Sequence, residues 1–170
     1  MSIAGWLLDV AAVVLVVAGA AKLVEPGYTT VALGAMGLPS SAAVVRVVAM
    51  GEAAFGALAL TVRSAAPAAL IAASYVAFSV VVVAALRRGI PVTSCGCLGR
   101  VETPPTLSHV VLTAVAAGGS VWAAVVVPEP LLDALGRRPG TALAFAVAVA
   151  IGAFVMLRLL AARPVVRARR

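Results

Sequence analysis

An all-α, polytopic membrane helical bundle is the fold class the sequence predicts, and three observations predict it. First, 64% of the 170 residues are hydrophobic and only 11% are charged, against roughly 25% charged in an ordinary soluble domain. A soluble chain of this length cannot cover its surface with so few polar groups. Second, five apolar runs are each about 20 residues long, and a helix of that length spans about 30 Å, the thickness of bilayer hydrocarbon. Third, the runs are continuous and do not alternate, so they do not read as barrel strands. Helices satisfy their backbone groups internally, as a lipid environment demands. A mean hydropathy of +1.16 agrees.

The first run is Ile3–Val24. Its Ala18-Gly19-Ala20-Ala21 resembles a signal-peptide cleavage site. No Lys or Arg precedes the run, however, and it is long for a signal core, so it is expected to be retained as a span. The connection 25–41 holds Pro26, Gly27, Gly34, Gly37 and Pro39 around a mildly apolar stretch, Tyr28–Met36, which predicts a short interfacial helix. Only Arg63-Ser64 separates the second run, Ala42–Val62, from the third, Ala65–Leu86, and Pro67 begins the next helix, so a tight helical hairpin is expected. The connection 87–106 is rich in Gly, Pro, Ser and Thr; the fourth run is Leu107–Val127. A proline-bearing connection leads to the fifth, Thr141–Leu160. The expectation is one membrane domain over residues 1–170, with a core bundle at 1–127, an additional helix at 140–161 and a basic tail at 162–170.

Charge predicts orientation. There are 13 basic and 6 acidic residues, and all the basic ones but Lys22 are arginine. The sequence pI of about 11.1 would suggest nucleic acid in a soluble protein. Here it reads as arginines facing anionic membrane lipid, with no nucleic-acid partner. Arg158, Arg163, Arg167, Arg169 and Arg170 argue for a cytoplasmic C-terminus and, with five spans, an outer N-terminus. Arg63, Arg137 and Arg138 then fall outside, and the other ten basic residues inside. The arginine bias points to a high-GC bacterium and its plasma (inner) membrane.

Two cysteines, Cys95 and Cys97, lie in Thr93-Ser94-Cys95-Gly96-Cys97-Leu98-Gly99. As buried filler, two cysteines at i and i+2 among glycines would be a coincidence. Their Cα atoms can reach disulfide range only over a bent backbone, and Gly96 and Gly99 make such bends cheap. A strained ring of this kind is readily reduced and suits exchange better than structural stapling. Nearby Arg87, Arg88 and Arg100 would favour the thiolate. The rival is a soft metal such as Cu(I) or Hg(II) held by two thiolates. His109 follows Cys97 at the start of the fourth span, as an interfacial polar group or as a residue that tunes a thiol or relays its proton.

Ionisable residues within spans are functional candidates. Lys22 and Glu25, at the end of the first span, are expected to snorkel to the surface. Glu52, about ten residues into the second span, is too short to do so. It is expected either to be neutral or to pair with Lys22 or Arg46. Asp9 lies near the outer end of the first span. No P-loop, nucleophile elbow or His-rich metal motif occurs in the sequence.

The succession Ala18-Gly19-Ala20-Ala21-Lys22-Leu23, Pro26, Gly37-Leu38-Pro39, Glu52, Gly56 and Cys95-Gly96-Cys97-Leu98-Gly99 resembles the MauE branch of the DoxX-like membrane proteins over about residues 10–125. The resemblance implies a four-helix core, to which this chain adds a fifth span and an Arg-rich tail. It implies support of disulfide formation or enzyme maturation in methylamine utilisation, with a thioredoxin-like partner outside the membrane. It carries over Cys95 and Cys97 as the redox pair, and Lys22 and Glu52 as polar residues of the first two spans. A partner outside conflicts with cysteines placed inside by charge. A segment folded back into the bundle, with bends at Gly89, Pro91, Gly96 and Gly99, would reconcile them.

The functional expectation is a membrane thiol–disulfide oxidoreductase. Cys95 and Cys97 are its catalytic residues; Gly96, Gly99, Glu52, Lys22 and His109 support them. Having only two cysteines, the chain must exchange with a thioredoxin-like partner, a small thiol or a quinone; no cofactor is implied beyond that candidate quinone. Two further readings stay open: a soft-metal carrier and a non-catalytic scaffold subunit. The sequence does not state an oligomeric order.

Overall fold

The computed structural model describes residues 2–89, 105–129 and 136–161. Among these residues lie six principal helices: α1 Ile3–Val24, α2 Gly27–Ala35, α3 Ala42–Thr61, α4 Ala65–Arg88, α5 Leu107–Val126 and α6 Pro139–Leu160. All but α2 are long and apolar enough to cross a membrane. The spans begin and end within about two residues of the apolar runs, because a uniform run of Ala, Val and Leu propagates a helix until a turn-former stops it. α2 occupies the stretch expected to form a short helix.

The ends follow local chemistry. Ser2 Oγ accepts from the Gly5 amide, and Ser41 Oγ from the Val44 amide, which caps α1 and α3. Pro67 sits in the first turn of α4, where it has no helical bond to break. Gly89 closes α4 in the left-handed conformation at φ 57°, which costs glycine little.

α1 is the hub. More of it is buried than of any other span, and it packs on α3, α5, α6 and α4. Two glycines explain its close approach to α3. A Cβ on Gly19 would stand 2.6 Å from the Ala49 carbonyl oxygen, and one on Gly56 would stand 2.7 Å from that of Ala12. Only glycine allows backbones this near, the usual way helices associate in lipid. Gly19 meets Ala49 and Ala53 while Gly56 meets Ala12 and Val16, so the two helices run antiparallel. α4 packs on α5 and α3, and α6 lies against α1 and α5.

Polar links tie the helices together. Tyr75 of α4 donates to the Ala11 carbonyl of α1 at 2.8 Å, and Ser79 meets Thr113 of α5 at 2.7 Å. Many Val, Leu and Ile side chains remain exposed on the outer faces of the bundle. Such a surface suits hydrocarbon as its solvent.

Candidate functional site

The candidate site is built where α1 and α3 face each other. Cα–Cβ bonds tilt toward a helix's own N-terminus. On α1 this turns Lys22 back toward the middle of the bundle; on antiparallel α3 it turns Glu52 toward the C-terminal end of α1. The two side chains converge. Lys22 Nζ donates to Glu52 Oε2 at 2.6 Å, with the side chains only 3% and 5% exposed. The Lys22 ammonium also sits 4.6 Å from the Phe78 ring centroid, a cation–π contact from α4. Lys22 therefore does not snorkel as expected, because its Cβ direction and Glu52 hold it inside. Of the two partners expected for Glu52, Lys22 is the one it meets. Arg46 is exposed on another face of α3.

Lys22 and Glu52 are among the residues lining a cavity of about 300 Å³ between α2, α3 and α4. Ala32 and Leu33 of α2, Val45 and Val48 of α3, and Ala77 and Phe78 of α4 contribute to its walls. Apart from the ion pair and Thr29, its lining is apolar. Sequence reasoning missed this cavity, which takes its walls from three separate segments. Its only signal is the apolar stretch that became α2.

His109 lies elsewhere. Its ring is buried, with Nδ1 2.6 Å from Thr106 Oγ1 and Nε2 3.0 Å from the Leu160 carbonyl oxygen. A carbonyl only accepts, so Nε2 carries a proton and ties the start of α5 to the last residue of α6. In the neutral ring Nδ1 then accepts from the Thr106 hydroxyl, which has Ser108 Oγ 2.6 Å away. His109, Phe78 and Tyr75 all line a void of about 20 Å³. Phe78 thus borders both the void and the larger cavity.

A second buried pair was not expected. Arg63 Nη2, from the α3–α4 turn, donates to Asp9 Oδ1 of α1, with side chains 4% and 1% exposed. Asp9 Oδ2 and Arg63 Nε and Nη1 have no hydrogen-bond partner among the described residues. The sequence signals were an acid inside a span and an arginine in a two-residue turn, far apart in the chain.

Cys95, Gly96, Cys97 and Gly99 lie outside the described residues. The ends of their segment are described. Arg88, at the end of α4, donates to the Met36 carbonyl just after α2 at 3.4 Å, and Met36 lines the cavity. The chain therefore leaves α4 at Gly89 beside the cavity rim. Among the described residues, no three His, Cys, Asp or Glu side chains converge on a metal-sized site.

The pattern of the family described as methylamine utilisation protein MauE matches residues 1–127. The chain belongs to the MauE family. The match covers α1–α5 and ends at Val127, where α5 is capped. Both buried ion pairs, the cavity and Cys95-Gly96-Cys97 fall inside the MauE region; α6 lies beyond it. No curated protein and no solved structure matches the chain. This MauE-family chain is a multi-pass membrane protein by the length and apolarity of its five spans.

Proposed function

We propose that this MauE-family protein is a membrane thiol–disulfide oxidoreductase, with Cys95 and Cys97 as its exchanging pair and a thioredoxin-like protein as its partner. The observation that carries the reading is the sequence Cys95-Gly96-Cys97, placed between two helices that pack on each other. A thiolate of the partner attacks the Cys95–Cys97 disulfide and forms a mixed disulfide, releasing one of the two as thiolate. The partner's second thiolate resolves it, so the partner leaves oxidised and Cys95 and Cys97 remain as a dithiol. Run backwards, the same steps reduce the partner. Arg87 and Arg88 would favour the thiolate form.

The arginine distribution supports a cytoplasmic C-terminus in a bacterial plasma membrane. Arg63, one of three basic residues assigned to the other side, is neutralised by Asp9 and adds no free charge there. In this orientation the Lys22–Glu52 end of the bundle faces the cytoplasm.

The test is covalent trapping. Cys95→Ser and Cys97→Ser proteins are incubated in membranes with a thioredoxin-like protein and run on a non-reducing gel. One of the two variants accumulates a mixed disulfide, and the double variant forms none. Absence of any adduct, with both thiols inert to alkylation, overturns the proposal. Loss of Cu(I) binding in the double variant, with thiol exchange unchanged from the native protein, would instead make the cysteines a metal relay.

A further inference from the structure

We infer that the cavity between α2, α3 and α4 is a binding site for the head ring of a lipid-phase quinone, held by Lys22 and Glu52. The inference rests on the thiol–disulfide reading for the quinone's role, but the site itself rests on the cavity.

The chemistry of the two charged lining residues points to the ligand. A buried ammonium has three N–H donors, and Lys22 gives one of them to Glu52. Another is available to a ligand carbonyl oxygen. Glu52 Oε2 accepts from Lys22, and a carboxylate carries a second acceptor oxygen. That oxygen can accept from a ligand hydroxyl. A molecule that offers a carbonyl when oxidised and a hydroxyl when reduced satisfies the same pair in both states. The remaining walls are aliphatic apart from Phe78 and Thr29, which suits a flat ring with a hydrocarbon tail. The volume, about 300 Å³, is that of a small-molecule site walled by apolar groups with a few placed polar atoms. A free phosphate or a charged solute would lose its hydration to these walls without replacement.

Electron balance supplies the role. With only Cys95 and Cys97, the chain holds no second pair to reoxidise the first. In the proposed step the two thiols are oxidised to one disulfide and the quinone is reduced to the quinol. Two electrons pass to the ring, and the two thiol protons end on its two oxygens. Arg88, at the end of α4, donates to the Met36 carbonyl at the rim; Cys95 and Cys97 follow it in the sequence, outside the described residues.

The experiment uses full-length protein in lipid nanodiscs and decylubiquinone as probe. Retention of the probe beyond that of empty discs is measured for the native chain, for Ala77→Phe, which adds bulk at the cavity wall, and for Lys22→Met/Glu52→Leu. The native protein is expected to retain about one quinone per chain, and both variants to bind at least about tenfold more weakly. Cys95→Ser/Cys97→Ser protein is expected to retain the probe like the native chain. No retention above empty discs, or equal retention by Ala77→Phe in a folded protein, overturns the site. Native protein that binds the probe but never reduces it with its thiols leaves the site standing and overturns the quinone's role as oxidant of the cysteines, while the trapping experiment decides the thiol–disulfide reading separately.

Discussion

Lys22 Nζ and Glu52 Oε2 stand 2.6 Å apart inside the bundle, where the last turn of α1 meets the middle of α3. Each is the other's partner for a charge that lipid and apolar side chains would otherwise leave bare. Removing one member is therefore expected to be worse than removing both. Lys22→Met or Glu52→Leu alone should destabilise the fold by about 3–5 kcal/mol. The double variant should recover most of that, as apolar replacements of a buried pair often do. Thermal unfolding in mild detergent, run as a double-mutant cycle, measures the coupling. Additive losses would show that the pair does not act as a unit.

Asp9 and Arg63 should behave differently. Their contact is one-pronged: Asp9 Oδ2 and Arg63 Nε and Nη1 have no partners among the described residues. Arg63→Lys can keep the single bond and is expected to cost less than about 1 kcal/mol, whereas Arg63→Met strands the Asp9 charge and costs about 3 kcal/mol or more. The same unfolding assay separates the two. Equal losses from both substitutions would mean that guanidinium geometry matters more than charge.

The close approach of α1 and α3 gives a steric prediction. Gly19→Val and Gly56→Val push a side chain into the backbone of the facing helix, and each should cost about 1–3 kcal/mol or more. Gly118→Ala, at a position with open space around it, should be neutral or stabilising by up to about 1 kcal/mol through helix propensity. Yield of folded protein and melting temperature report the contrast. A tolerated valine at Gly19 would contradict the packing.

His109 should matter to the docking of α6. His109→Phe fills the space but cannot donate to the Leu160 carbonyl, and should cost about 1–3 kcal/mol by leaving a buried acceptor unmet. Hydrogen exchange of the amides in the last turn of α6 should rise in the variant while those of α3 stay unchanged. Unchanged α6 exchange would show that the His109–Leu160 bond does not hold the end of α6.

The parts that sequence conveys are those that local chemistry decides. Each of the five spans follows from an unbroken apolar run bounded by Pro, Gly or Ser, and α2 follows from a short apolar stretch between Pro26 and Gly37. The Lys22–Glu52 pair was half legible: an acid deep in a span demands a cation, but Lys22 and Arg46 both qualify until helix faces are known. Asp9–Arg63 was not legible, since an acid near a span's end and an arginine in a turn each have an ordinary surface reading. The Leu160 acceptor for His109 is a backbone carbonyl and leaves no mark in side-chain pattern. The cavity depends on how α2 lies against α3 and α4, which no local pattern encodes.

The two buried pairs sit at opposite ends of the same helix contact. Asp9 and Lys22 are about 20 Å apart along α1, and Glu52 and Arg63 are spaced by about 16 Å along α3 and its turn. Because acid and base alternate between the ends, a hairpin of α3 and α4 threaded upside down would bring Arg63 to Lys22 and Glu52 to Asp9. Both meetings would be repulsive and dehydrated. The four charges thus oppose the inverted insertion, adding to the arginine distribution and to the glycine contacts that already favour the observed one.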